Sequence, residues 1–188
     1  MSGSGSWRLV HLVSVFATLV GAAAIVAILW SMMLAGSSRW PMVAFVSLVI
    51  TTPILLLSVG LDGFATKSIA DRWAASALGD RQMLVPAATA LRSVDVAVLN
   101  LVMVGQFGVT AILLGVASSS SALYGKPLGF VATAGGVLGV ICGSLQAMSG
   151  RLTEVSYLVL LTASLALFTI WLLLASFRLW QKAAGIGP

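Results

Sequence analysis

Charge is what this chain has least of. Lysine, arginine, aspartate and glutamate together make up 8% of its 188 residues, against about 25% in a typical soluble domain. A surface facing water on all sides cannot be covered with so few charges, so an ordinary soluble globular fold is excluded. Histidine and cysteine occur once each, as His11 and Cys142. An internal disulfide is therefore impossible. A two-histidine haem site or a histidine-rich metal site cannot be assembled within one chain, which leaves only a haem with another axial ligand. No GxxxxGK[ST], HExxH, CxxC or GxSxG pattern is present. Serine is abundant, but the one histidine that could serve it is His11, at the mouth of the first apolar run. These gaps point away from an enzyme and leave no cofactor or metal to expect.

What the chain has instead is apolar length. Hydrophobic residues make up 60% of it, and its mean hydropathy is +1.10. In hydrocarbon every backbone N–H and C=O must find a partner within the protein, and long unbroken apolar runs meet that demand as helices. The expected fold is all-α, an integral membrane helical bundle of about five transmembrane helices in a single domain over 1–188. The runs cover about 9–35, 42–61, 94–117, 128–148 and 155–179, with a charged surface stretch over 62–93 carrying a short amphipathic helix.

The first run is longer than the about 7–15 apolar residues of a signal peptide and reads as an uncleaved span behind a polar, flexible start, MSGSGSWR. Trp7 and Trp30 lie about 35 Å apart along such a helix and suit opposite membrane interfaces. GSSRWP at 36–41 predicts a turn, and Pro53 predicts a kink in the second span. SSSSALYGKP and SGRLTE read as connections, with Arg151 and Glu154 as a solvated turn pair.

The net charge of +5 does not indicate nucleic acid, because the basic residues are scattered and form no run. Anionic lipid headgroups account for them, which makes membrane lipid the expected partner. An N-terminus on the inner side places six basic residues there (Arg8, Lys67, Arg72, Arg81, Arg92, Arg151) and four outside (Arg39, Lys126, Arg178, Lys182). The positive-inside rule then favours a cytoplasmic N-terminus and central stretch.

Four of the five acidic residues (Asp62, Asp71, Asp80, Asp95) and four of the ten basic ones (Lys67, Arg72, Arg81, Arg92) fall between positions 62 and 95. Asp62 suits an N-cap and Gly79 a helix stop. Between them Ala65, Ile69, Trp73 and Ala77 share one stripe, with Lys67 and Asp71 paired on the other side. That pattern predicts a helix at the membrane surface with Trp73 among the headgroups.

The third span opens with Arg92 and Asp95, which can pair across one helix face. Gln106 and Thr110 return to within about 60° of that face, and Asn100 lies about 80° from Arg92. Polar groups inside a span point into the bundle or a wet cavity, so these are the candidate residues for a polar path or an interface. The second span adds a stripe of Ser47, Thr51, Ser58 and Asp62. The first adds His11, Ser14, Thr18 and Gly21. In the fourth span Gly135, Gly139 and Gly143 recur every four residues, which lets another helix approach closely.

Several segments also resemble a known pattern. DGFATKSIADRW after a second span, LRSVDVAVLNL opening the next, a glycine-rich span after PLGF and a last span ending in FTIWLLLASFRLW are similar to a bacterial family of uncharacterised multi-pass membrane proteins, a domain of unknown function. The resemblance covers about residues 42–180 and implies a bundle architecture without an activity. The high alanine, valine and leucine content resembles that of proteins from GC-rich bacteria.

The expectation is a non-enzymatic protein of a bacterial cytoplasmic membrane, an accessory subunit or small regulator, whose partners are other membrane subunits or a second copy. The alternative is a small-solute or ion conduit along the second and third spans. A third reading, an enzyme acting on lipid, requires Asp62, Asp71 or Asp95 to converge on one another or on a metal.

Overall fold

The computed structural model describes residues 3–36, 38–149 and 154–186. The Arg151–Glu154 turn pair lies outside what is described. The described residues form helices and short turns with no strand. In chain order they are α1 (Gly3–Leu34), α2 (Trp40–Gly60), a π-helical turn (Leu61–Ala65), α3 (Thr66–Ala75), α4 (Leu78–Val104), a second π turn (Gly105–Thr110), α5 (Ala111–Ser119), α6 (Gly125–Ser149) and α7 (Glu154–Ala183). Five helices among the described residues are long and apolar enough to cross a membrane.

Two of those five are much longer than their apolar runs. Helix runs without a break over Trp40–Ala75, 36 residues, and over Gly79–Ser119, 41 residues. At about 1.5 Å per residue these measure roughly 54 and 61 Å, against a hydrocarbon core of about 30 Å. The excess of both is the charged stretch. It folds as a helical hairpin in which α3 lies against the first turns of α4, with Thr66 and Ile69 facing Ala88 and Leu91.

The expectation of a separate surface helix is corrected accordingly. Asp62 caps nothing and sits inside the first π turn, because LDGFATKSIADRWAA contains no residue that stops a helix. Chain reversal comes at Ser76 and Ala77, whose backbones are extended (ψ 147 and 156). Gly79 is not the stop; it lies in the first turn of α4. The third helix accordingly begins at Leu78 and not near 94. The N-terminal segment expected to be flexible is helical from Gly3 onward.

The partition of side chains is inverted relative to a soluble protein. Leu9, Val13, Phe16 and Val20 on α1, and Val155, Val159 and Leu173 on α7, are exposed. Thr51, Ser58, Asp95, Gln106, Thr110, Ser118 and Ser164 are buried. The apolar core lies toward the end away from the hairpin and is built from Ile28, Leu29, Met32, Leu48, Leu114, Tyr124 and Trp171. Polar ties hold that end shut. Trp171 Nε1 donates to Ser118 Oγ at 3.0 Å, Tyr124 Oη meets Ser31 Oγ at 2.9 Å, and Arg178 Nη1 donates to Tyr124 O at 2.6 Å.

α5 and α6 meet along a glycine seam. Gly108 lies against Gly136, and Gly115 against Gly129, close enough that a Cβ on any of them would run into backbone of the other helix. The spacing along each helix is seven residues, the period of helices that stay in register as they wrap. Gly143 continues the seam against Met103 and Val104, and Gly139 lies against the backbone of Phe107. Gly135 turns the other way, toward Leu167 and Phe168 of α7. The regular four-residue glycine spacing seen in the sequence thus serves two different neighbours within the chain.

Candidate functional site

A π turn inserts one extra residue into a helical ring, and such turns recur where a helix carries function. Both in this chain are built around glycine. In the first, a Cβ on Gly63 would overlap the His11 ring. Its absence lets the start of α1 settle directly onto the turn. Trp7 Nε1 then donates to Gly63 O at 2.9 Å, and His11 Nε2 reaches Asp62 Oδ2 at 3.2 Å. One turn further out, Arg8 Nη2 pairs with Asp71 Oδ2 at 3.1 Å, and Lys67 pairs with the other oxygen of the same carboxylate. Lys67, and more weakly Arg8, hold the Asp71 carboxyl below the ordinary carboxylate range.

In the second π turn, Gly105 leaves room for the Thr51 methyl group, 3.1 Å from where its Cβ would be. This brings Gln106 and Thr110 onto α2. Thr51 Oγ1 shares its one hydroxyl proton between Gln106 Oε1 and Ser47 O, the latter 2.8 Å away, and Ser47 Oγ and Thr110 Oγ1 are 2.7 Å apart. The four side chains form one buried, mutually satisfied cluster, which is the arrangement that makes interior polar groups tolerable.

Between the π turns and α7 lie two cavities. The one nearer the hairpin holds about 520 Å³ and is lined by His11, Ser14, Ser58, Asp62, Arg92 and Asp95, with apolar walls from Leu55, Val59, Leu99, Phe107, Leu161 and Leu165. The deeper one holds about 300 Å³ and takes in Thr18, Thr52, Gln106 and Thr169 among apolar neighbours. Leu55, Phe107 and Leu165 border both. Beyond the deeper cavity lies the closed core already described.

Asp95 is the unusual member. Its side chain is 9% exposed, and the closest cation, Arg92 Nη1, stands 3.9 Å away while its own side chain is 76% exposed. That separation is beyond hydrogen-bond reach, so the carboxylate is buried without a donor among the described residues.

The candidate residues therefore divide into groups. Asp62, Arg92 and Asp95 share the first cavity. Gln106 lines the second, and both Gln106 and Thr110 hydrogen-bond to α2. Asn100 lines neither cavity. Its backbone carbonyl faces Gly143, and its Oδ1 is buried without a partner, as are Gln146 Oε1 and Tyr157 Oη. Trp7 is tied to Gly63, whereas Trp30 and Trp73 are exposed. A lipid-directed enzyme requires two of the carboxylates Asp62, Asp71 and Asp95 to converge; Asp62 and Asp95 line the first cavity together, and Asp71 stands apart with Lys67 and Arg8. No group of three metal-ligating side chains occurs among the described residues.

No protein-family model, curated protein or solved structure matches the chain.

The residues that sequence reasoning missed are the small and apolar ones that shape this site. Gly63 reads from sequence as a turn residue, and Leu55, Phe107 and Leu165 are indistinguishable from any lipid-facing residue. The seven-residue glycine spacing was legible at 108/115 and at 129/136/143 but is hidden by the stronger four-residue pattern beside it.

Proposed function

We propose that the chain is a non-enzymatic multi-pass protein of a bacterial cytoplasmic membrane, an accessory subunit or small regulator, with its N-terminus and helical hairpin in the cytoplasm. Lipid as the surrounding solvent is supported by the inverted distribution of apolar and polar side chains. The orientation rests on the six basic residues counted at the hairpin end against four at the other. The resemblance of residues 42–180 to a bacterial family of multi-pass membrane proteins supports the same bundle architecture and no activity.

One observation carries the reading over a conduit. A conduit needs Asp95 and Gln106 to face one continuous wet passage. Here they line two different pockets, which share Leu55, Phe107 and Leu165 in their walls. The Gln106 carbonyl is taken by Thr51, and the far end is filled by fully buried Ile28, Leu29 and Trp171. A bundle closed at one end transmits nothing across the membrane. Its remaining outward feature is the hairpin, on which Trp73, Met83 and Val85 are exposed as contacts for another subunit.

Purification from native membranes in mild detergent tests this. A partner recovered in constant stoichiometry, and lost when the hairpin is shortened between positions 66 and 88, supports the subunit reading. A homogeneous lone chain contradicts it. Solute or ion flux in proteoliposomes above that of protein-free vesicles turns the reading to a conduit.

A further inference from the structure

We propose that the cavity at the hairpin end binds a hydrophobic monocation, an amphiphile with a single ammonium-type head. Its charge lies against Asp95 and its apolar body against Leu55, Phe107 and Leu165. The proposal is independent of whether the chain has a partner subunit.

The starting point is Asp95. A carboxylate removed from water is costly unless paired, and breaking such pairing is costly again. In this protein the cation beside it, Arg92, makes only a long ion pair of 3.9 Å from a side chain that mostly faces solvent. Asp62 stands on the same cavity from the facing helix, occupied on one side by His11. The charged side chains on the cavity are thus two carboxylates against Arg92, whose pairing with Asp95 is long and exposed. The space beside Asp95 favours positive charge.

The kind of cation follows from the rest of the wall. A divalent metal needs several oxygen, nitrogen or sulfur ligands around one point, and no such cluster is present among the described residues. Apart from Ser14 and Ser58, the other walls are leucine, valine, methionine and phenylalanine, which solvate hydrocarbon and disfavour a hydrated ion. At about 520 Å³ the cavity falls within the range of about 300–1,000 Å³ that holds drug-sized ligands, most of them apolar with a few fixed polar contacts. It lies between α1 and α7, at the level where the charged hairpin meets the apolar spans, so a ligand could arrive from the lipid or from water. Both sources offer the same chemistry.

Binding is measured on the full chain in lipid nanodiscs with radiolabelled dodecyltrimethylammonium added from water. Tetramethylammonium and dodecylmaltoside serve as competitors carrying only the head or only a neutral-headed tail. The expected result is saturable binding that neither competitor displaces at equal concentration. Asp95→Asn is expected to weaken it by about tenfold or more, the scale of a lost charged contact, and Arg92→Ala to tighten it by removing the competing cation. Nanodiscs carrying stearylamine distinguish the sources: competition from within the bilayer marks lateral entry, and its absence marks entry from water, each with the site intact. Should Asp95→Asn fail to fold, Leu165→Trp fills the cavity from the opposite wall and is expected to abolish binding. Equal binding by wild type and a folded Asp95→Asn, or displacement by dodecylmaltoside as effective as by unlabelled cation, overturns the proposal.

Discussion

Substituting glycines one at a time should separate those that hold the bundle together from those that do not. At Gly136, a Cβ would stand 2.7 Å from both Gly108 O and Ile112 N. It falls short of an ordinary contact of 3.4 Å by about 0.7 Å, and the obstacle is backbone, which cannot rotate away. Overfilling a packed interface costs about 1–3 kcal/mol, partly offset by the better helix propensity of alanine, at most about 1 kcal/mol. Gly136→Ala should therefore lose about 1–2 kcal/mol. At Gly60 a Cβ would meet nothing within 4 Å, so Gly60→Ala should be neutral or gain up to about 1 kcal/mol. For a chain of this size each kcal/mol moves the melting temperature by about 2–4 °C, which places the two variants several degrees apart. Cys142 is buried and is the only thiol, so a thiol-reactive dye added during a thermal ramp in detergent reports unfolding without further labelling. Equal shifts for Gly136→Ala and Gly60→Ala, or a gain at Gly136, would refute the close approach of α5 and α6.

Three further outcomes are expected. Gln106→Leu alone should cost about 1 kcal/mol by removing one hydrogen bond from Thr51, whose hydroxyl keeps Ser47 O as a partner, whereas the same change beside Thr51→Val should cost less than the two singles together. A coupling near 1 kcal/mol, within the range of up to about 1.7 seen between membrane helices, is the figure to compare in a double-mutant cycle of melting temperatures. The ion pairs of Asp71 should be pH-dependent in one direction only. Its folded-state pKa is lowered, so the contribution is complete above the unfolded value of about 3.9 and vanishes as pH falls through the lowered one. Wild type should then be more stable than Asp71→Asn at pH 7 and converge with it in strong acid, and a gap that widens on acidification contradicts the pairing. Gly63→Val should release the start of α1, read as faster proteolysis before residue 12 with the remainder of the bundle unchanged in melting temperature.

The sequence made the five apolar helices legible because hydropathy reports directly which segments suit lipid. It did not show where the helices end, since leaving lipid and leaving helix are different events. Over 62–75 the residues turn polar but include no proline, so the helix of the second span continues through Asp62. Only the extended backbone at Ser76 and Ala77 reverses it. The polar face of the third span was visible in the spacing of Asp95, Gln106 and Thr110. Its division into two cavities was not, because it depends on Leu55 and Leu165 arriving from other helices and on a π turn that begins at Gly105. Local propensity gives no sign of that turn, whose glycines matter only once Thr51 and Val140 are beside them.

The account depends most on a bundle that is open at the hairpin end and closed beyond Gln106. A single-cysteine scan in a Cys142→Ala background measures this directly, using a membrane-impermeant maleimide applied from either face of sealed vesicles. Ser58→Cys, on the first cavity, and Asp80→Cys, on the hairpin, should be labelled from the same face. Thr110→Cys and Leu114→Cys, in the polar cluster and the core, should be labelled from neither. Labelling of Thr110→Cys from either face, or of Ser58→Cys from the face opposite Asp80→Cys, would contradict the closed bundle.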